Sequence, residues 1–332
     1  MKFGYQQPAH DFPEERQKDT FHSLAQIARE CESLGYDSFW LMDHLIQIEL
    51  AGKKDAPILE PYVSLSAIAS LTSTIKLGAL CTCNIFRSPA LVAKMGVTLD
   101  QISRGRFWLG IGAGWYQEEA RMYGYGFPAP PDRLSMLEES VKIIKDSWSR
   151  SARVHHNGSD PGNLIEDSGL TFHGRFYGIE NFVVSPPPVQ RPHPPILIGG
   201  GGEKVTLGLV SKYADACNFF PKGAALERKL RLLKQRCMAE GRDYSSILKT
   251  KLATVMFGGD EQDALQKISR YKPRSMSLAS YALSTLLGTP AQMVREIEGL
   301  NTIGIDYLIV NFRGKYSPED KKKFSEEVMS SF

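Results

Sequence analysis

Asp43 and His44 stand side by side at the end of the apolar run in SFWLMDHL. Imidazole is the side chain whose ordinary pKa lies nearest neutrality, so His44 is a candidate proton donor. The neighbouring carboxylate is a candidate to orient that ring or to accept a hydrogen bond from a cofactor. The plainer alternative is that Asp43 caps a turn and His44 lies on the surface. A second segment, LCTCNIFRSPA, places Cys81 and Cys83 two apart, on one face of a strand, with Asn84 and Arg87 just before the helix start at Ser88-Pro89. Small side chains there let a flat ring pack, although an ordinary strand–loop–helix junction accounts for the segment better. The lone C-x-C has no second pair at zinc-ligand spacing, so no metal site is indicated.

The segment LGIGAGWYQEE spaces Gly110, Gly112 and Gly114 as G-x-G-x-G, which is not the G-x-G-x-x-G of a dinucleotide fold. Asp132 follows Pro130-Pro131 and opens a helix, so an N-cap explains it better than a ribose contact. The strongest signal is ILIGGGGEKV. A short apolar strand runs into Gly199–Gly202 and then a helix, which offers backbone N–H groups and a helix dipole to a phosphate. A flexible turn is the alternative. No lysine follows at Walker spacing, which argues against a nucleotide triphosphatase.

The elements that must position these residues alternate. Strands are expected at Lys2–Gln6, Asp37–Met42, Ile75–Thr82, Arg106–Ala113, Pro195–Ile198, Ala214–Phe219, Leu248–Phe257 and Ile305–Val310. Helices are expected at Thr20–Leu34, Pro61–Thr72, Ser88–Ser103, Asp132–Ser149, Lys204–Lys212, Ala224–Glu240 and Pro290–Leu300, with a helical stretch from Asp260. Strict alternation predicts an α/β fold with a parallel sheet, closed as a (β/α)8 TIM barrel; a doubly wound open sheet is the alternative. The reading is of one domain over residues 1–332, with an insertion at residues 151–195, partly a β-hairpin, between the fourth and fifth units. In a parallel barrel every strand tip opens on one mouth, which explains why an apolar strand ends in an acid and an imidazole.

Composition narrows the classes. Of 332 residues, 42% are hydrophobic and 23% charged, as in a globular protein that buries a large core without disulfides. A net charge of +3 and the lack of a basic block with interleaved aromatics argue against a nucleic-acid partner. The densest charge run, DKKK at Asp320–Lys323, reads as a solvated helix face. No run approaches membrane-spanning length and no leader is apparent, so a cytoplasmic location is expected, with five cysteines kept reduced.

In sequence order these segments resemble the bacterial luciferase-like family of flavin and deazaflavin (F420) enzymes. The likeness runs through KFGYQ, LGYDSFWLMDHL, TSTIKLGALCTCNIFRSPALVAKMGVTLDQISRGRFWLGIGAGWYQEE and RPHPPILIGGGG, over most of residues 1–220; GIGAGW and RPHPPILIGGGG are its most specific blocks. The resemblance implies a barrel binding one flavin-type ring at its mouth. It implies a pocket holding Asp43 and His44, with His44 as catalytic proton donor. It further implies a non-prolyl cis peptide at Leu80–Cys81 or its neighbour, Cys83 and Asn84 beside ring and tail, and Ala113 and Gly114 on the cofactor. The phosphate would lie on Gly200, Gly201, Gly202 and Val205. It points to F420, with FMN as the alternative; to a homodimer; and to a separate flavin or F420 reductase as partner, while the aromatic residue types at Trp115, Tyr116, Phe219 and Phe220 point to a small, apolar or aromatic organic substrate. The sugar-phosphate dehydrogenases of the family carry a glutamate where Trp115 stands and a tryptophan soon after Asp-His, which this chain lacks, so their substrate is disfavoured. Arg87, Lys204 and Arg313 are candidate charges for an acidic cofactor tail, and Trp115, Tyr116, Phe219 and Phe220 candidate pocket floor. A cofactor-free barrel and a barrel enzyme acting on a phosphorylated sugar are the rival readings.

Overall fold

The strands are β1 (Lys2–Gln7), β2 (Ser38–Leu41), β3 (Lys76–Ala79), β4 (Thr82–Cys83), β5 (Phe107–Gly112), β6 (Leu170–His173), β7 (Gly178–Phe182), β8 (Ile196–Gly199), β9 (Ala216–Phe219), β10 (Leu248–Phe257), β11 (Thr285–Gly288) and β12 (Tyr307–Phe312). Eight of them pair in parallel in the order β1-β2-β3-β5-β8-β9-β10-β12, and β12 returns to β1 with Lys2 opposite Tyr307. The sheet is therefore a closed barrel, as the alternation predicts. The computed structural model describes residues 1–10, 12, 19–156, 169–273, 276–313 and 318–332.

Helices follow the strands and wrap the barrel. Their starts are written locally: Ser88 accepts the N–H of Leu91 ahead of Pro89–Ser103, and Thr289 forms a capping box with Gln292 ahead of Pro290–Thr302. Strand residues that face outward, such as Leu77, Ala253 and Val255, join helix residues such as Leu24, Val97 and Leu209 in the main core. Burying that layer is the dominant favourable term for the fold.

Inward-facing residues divide the barrel into a plugged bottom and an open top. Trp40, Leu197, Ala216, Tyr307 and Ile309 fill the lower interior. There the Trp40 indole N–H donates to Ser38 Oγ at 2.6 Å, and the Tyr307 hydroxyl lies 2.6 Å from the same oxygen and donates to Asp37 at 2.8 Å.

Three departures from expectation have local causes. The stretch from Asp260 holds helices Glu261–Ser269 and Leu278–Ala282 but also β11, which pairs beside the far end of β10. A four-residue apolar run cannot be assigned to strand or helix by periodicity. The helix Pro130–His156 runs into the segment read as an insertion; beyond it β6 and β7 form the expected hairpin, and residues 157–168 of that segment lie outside the described residues. Lys321, in the DKKK run, is buried and pairs with Glu30 at 2.9 Å, so that face is not wholly solvated.

Candidate active site

The strand tips surround a cavity of about 750 Å³ at the carboxyl end of the barrel. Pro8, His44, Cys81, Gly114, Gly200, Phe220 and Arg313 reach it from the ends of seven barrel strands, and Thr254 of β10 supplies the eighth. Asp43, Leu80, Cys83 and Ala113 also line it. Asn84, Gly201, Gly202 and Val205 do not, although Asn84, Gly201 and Val205 adjoin residues that do.

The acid and the imidazole separate. Asp43 is buried and accepts from Arg87 Nη1 at 2.7 Å, from Arg87 Nη2 at 3.0 Å and from the Cys83 N–H at 2.7 Å. Burial pushes its carboxyl up, against the opposing pull of Arg87. Arg87 also donates to Glu60 at 2.6 Å and is nearly buried, so it is not a free charge for a cofactor tail. The carboxylate that meets the imidazole is that of Glu119, whose Oε2 lies 2.9 Å from His44 Nδ1. Its Oε1 accepts the N–H of Leu45, and that of Ile46 at 3.2 Å. Orientation of the ring, expected of Asp43, thus falls to Glu119. The indole of Trp115 meets His44 edge-on at 5.6 Å and stacks on Tyr116 at 5.1 Å.

The Leu80–Cys81 peptide is cis, at the bond the resemblance implied. Its carbonyl accepts from Gln6 Nε2 at 3.4 Å. Gln6 Oε1 in turn accepts from Asn311 at 2.9 Å, and Asn311 Oδ1 accepts from Thr254 at 2.8 Å. This polar chain joins β10, β12 and β1 to the exit of β3 across the cavity floor. Burial pushes the thiols of Cys81 and Cys83 up to about 12, so both are neutral wall residues and not nucleophiles. Asn84 is buried and donates to Tyr177 at 3.3 Å.

The glycine loop opens on the same cavity through Gly199, Gly200 and Thr206. A side chain at Gly199 would overlap the Sγ of Cys81, so only glycine lets β8 lie against the cis turn. Gly200 has φ +108°, a conformation that favours glycine. Among the described residues none accepts a hydrogen bond from the backbone N–H of Gly200, Gly201 or Gly202. The helix begins at Thr206, two residues later than expected, and Lys204 is exposed. Lys229 donates to the Gly201 carbonyl, Arg228 pairs with Glu203 at 2.6 Å, and Arg236 donates to the carbonyls of Glu203 and Lys204 at 2.7 and 2.9 Å. Three cations against one acid leave the loop electropositive, which suits an anionic group.

Of the expected floor residues, Trp115, Tyr116 and Phe220 line the cavity and Phe219 does not. Phe219 is fully buried in the barrel–helix core, while Trp115, 58% exposed, and Phe220, 47% exposed, form a rim. Lys251, buried behind β10, holds the Phe220 carbonyl at 2.6 Å, and burial lowers its ammonium to about 8. Sequence reasoning missed Glu119 as the partner of His44, the Gln6–Asn311–Thr254 chain and Lys229. Only Glu119, in the quoted GAGWYQEE block, carried a local signal. Among the described residues no cluster of metal-ligating side chains occurs, and no helix is long and apolar enough to cross a membrane.

Comparison with known proteins gives the same picture at three levels. The family model for the luciferase-like monooxygenases matches residues 1–283. The F420-dependent glucose-6-phosphate dehydrogenase of Kineococcus radiotolerans is 28% identical over 285 residues, 83% of this chain and 74% of that protein. The FMNH2-dependent dimethylsulfone monooxygenase of Pseudomonas putida is 25% identical over 276 residues, 73% of this chain and 70% of that protein. Among solved structures, an F420-dependent secondary alcohol dehydrogenase in complex with an F420–acetone adduct superposes with a TM-score of 0.79, covering 100% of this chain and 99% of that one. At 19% identity that last likeness is one of fold.

Proposed function

The chain belongs to the luciferase-like monooxygenase family, and from that premise we propose that it is an oxidoreductase moving a hydride between reduced F420 and a small apolar or aromatic substrate. The observation that carries the reading is a pairing within one cavity. The glycine loop offers backbone N–H groups without acceptors, and His44 has its Nδ1 engaged by Glu119. The first fits a phosphoryl group. The second leaves Nε2 as the ring nitrogen available to a substrate.

When bound, the reduced deazaflavin supplies the hydride. The protein's part is to bind, orient and hold a proton. Gly200, Gly201 and Gly202, with Val205 and Thr206 at the helix start and Lys229 behind, would hold the phosphoryl group. Leu80, Cys81, Cys83, Ala113 and Gly114 would form the wall for the ring, with Asp43 and Asn84 stiffening it from behind. His44 would give or take the proton at the substrate. The sugar phosphate of the dehydrogenase relative is not carried over, because Trp115 follows the strand glycine and apolar side chains such as Ile48, Leu252 and Leu283 face the cavity.

The second reading is an FMN-dependent monooxygenase using O2 and fed by a separate flavin reductase, supported by the likeness to the dimethylsulfone monooxygenase. The F420-dependent relative is the more identical of the two, 28% against 25%, and favours the first. Both readings take the chain as one barrel domain. A homodimer is supported by Val63, Leu71, Leu91 and Ile102, exposed on the helices Pro61–Leu71 and Pro89–Ser103. Five free thiols suit the reducing cytoplasm.

Equilibrium titration of the purified protein with F420, FMN and FAD, followed by fluorescence, tests the choice. F420 binding tighter than FMN is expected. Tight FMN binding with none for F420 would overturn the first reading in favour of the second.

A further inference from the structure

The cavity holds a cation with no counter-charge among the described residues. Among the described residues lining it, the buried side-chain donors without a partner are Arg313 Nε and Nη1 and the hydroxyl of Tyr281. Arg313 follows the last residue of β12, and Tyr281 lies on the helix Leu278–Ala282 and is 1% exposed. The acids of the cavity are committed elsewhere: Asp43 to Arg87, and Glu119 to His44 and the backbone of Leu45 and Ile46. Arg313 is only partly buried, but the two guanidinium N–H groups it withdraws from water without an acceptor are costly. A phenol hydroxyl and a guanidinium in one cavity are both donors and call for the same guest, an acceptor-rich anion.

We propose that Arg313 and Tyr281 are the anion-recognising end of the substrate pocket, so that the substrate is an organic acid, a carboxylate or sulfonate, with an apolar body. The proposal rests on the oxidoreductase reading and names the substrate class of that site. Its position separates it from the glycine loop: β9 and β10 stand between β8 and β12 on one side of the ring, and four strands on the other. Only β1 stands between β12 and β2, which carries His44. Neighbouring strands lie about 4.8 Å apart, so the two tips are roughly 10 Å from each other. An acid of moderate size, its body against Ile48, Leu50, Leu252 and Met276, would span from Arg313 to the imidazole. The acidic tail of a cofactor is the other possible source of such an anion.

The test titrates the protein by calorimetry with phenylacetate, benzenesulfonate and neutral 2-phenylethanol, first without cofactor and then with F420 or FMN. The acids should bind at least about tenfold tighter than the alcohol. Arg313→Met should remove that preference and Tyr281→Phe should weaken it several-fold, both leaving cofactor affinity within about twofold. Arg313→Lys, which keeps the charge and loses the fork, should retain a reduced preference and serves if Arg313→Met does not fold. Acids binding no tighter than the alcohol would overturn the proposal. So would an Arg313 variant that weakens F420 or FMN while the preference for acids persists, since that assigns Arg313 to the cofactor tail. Failure of both F420 and FMN to bind wild-type protein would count against the oxidoreductase reading instead. The cofactor-free titration would still decide the anion site.

Discussion

Glu119 supports His44 from behind, with Oε2 at 2.9 Å from Nδ1 and Oε1 on the backbone of the two residues that follow. One buried carboxylate therefore sets both the ring and the loop that carries it. Glu119→Gln keeps the size and an acceptor for the loop, but presents an amide N–H₂ to the imidazole in place of a carboxylate oxygen. Turnover should fall roughly ten- to a hundredfold, as for outer partners of other functional histidines, with cofactor affinity unchanged. His44→Ala should cost about 10²–10⁴ in turnover, and adding Glu119→Gln to it should cost little more. Fluorescence titration beside turnover measurements checks the split; loss of binding with turnover intact would demote His44 to a binding residue.

Asp43 and Arg87 form the buried pair that braces the turn after β3, because the Cys83 N–H joins them on Asp43. Removing one partner of a buried pair typically costs about 3–5 kcal/mol. Arg87→Met should therefore destabilise strongly, and Arg87→Met with Asp43→Asn should recover part of the loss. Urea unfolding of the two single variants and the double variant measures this coupling, and strictly additive losses would contradict it.

Gly199, at the end of β8, and Cys81, in the turn after β3, compete for one space. Gly199→Ala should lower stability by about 1–3 kcal/mol through overpacking, and Cys81→Ala in the same chain should restore most of it. Thermal melts decide the matter, since a clash elsewhere would not respond to the second substitution.

His10 is buried, its Nδ1 accepts the Leu59 N–H at 2.9 Å, and burial lowers it to about 4. The unfolded chain thus binds a proton between about pH 6.5 and 4 that the folded one refuses. Stability from this group is full above the unfolded pKa and is lost as pH falls, by about 2 kcal/mol between pH 7 and pH 5. His10→Gln, which keeps an acceptor for Leu59, should flatten that part of the pH–stability curve. An unchanged slope would show that another group carries it.

The barrel was legible because its signals are local. Most barrel strands are short apolar runs and the long helices are periodic, several with a cap or glycine at an end. The glycine loop was legible for the same reason, since a run of glycines before a helix needs no distant partner to be noticed. The wiring of the site was not. Asp43 is claimed by Arg87 and His44 by Glu119, so chain adjacency misdirected the pairing. The partner of His44 lies 75 residues away and that of Gln6 305 residues away, and only closure of the barrel brings them together. Arg87 had the charge a cofactor tail would want, but burial against two carboxylates claimed it.

The helix Gln117–Met122 is stitched to the segment after β2 along its length. Glu119 takes two of its N–H groups, Tyr123 donates to the Leu45 carbonyl at 3.0 Å, and Glu118 pairs with Lys54. Trp115 and Tyr116, at the entrance of that helix, and His44 consequently ride on one platform. A guest that displaces the indole is therefore expected to shift the imidazole as well, and emission from a variant that keeps Trp115 as its sole tryptophan would report that arrival.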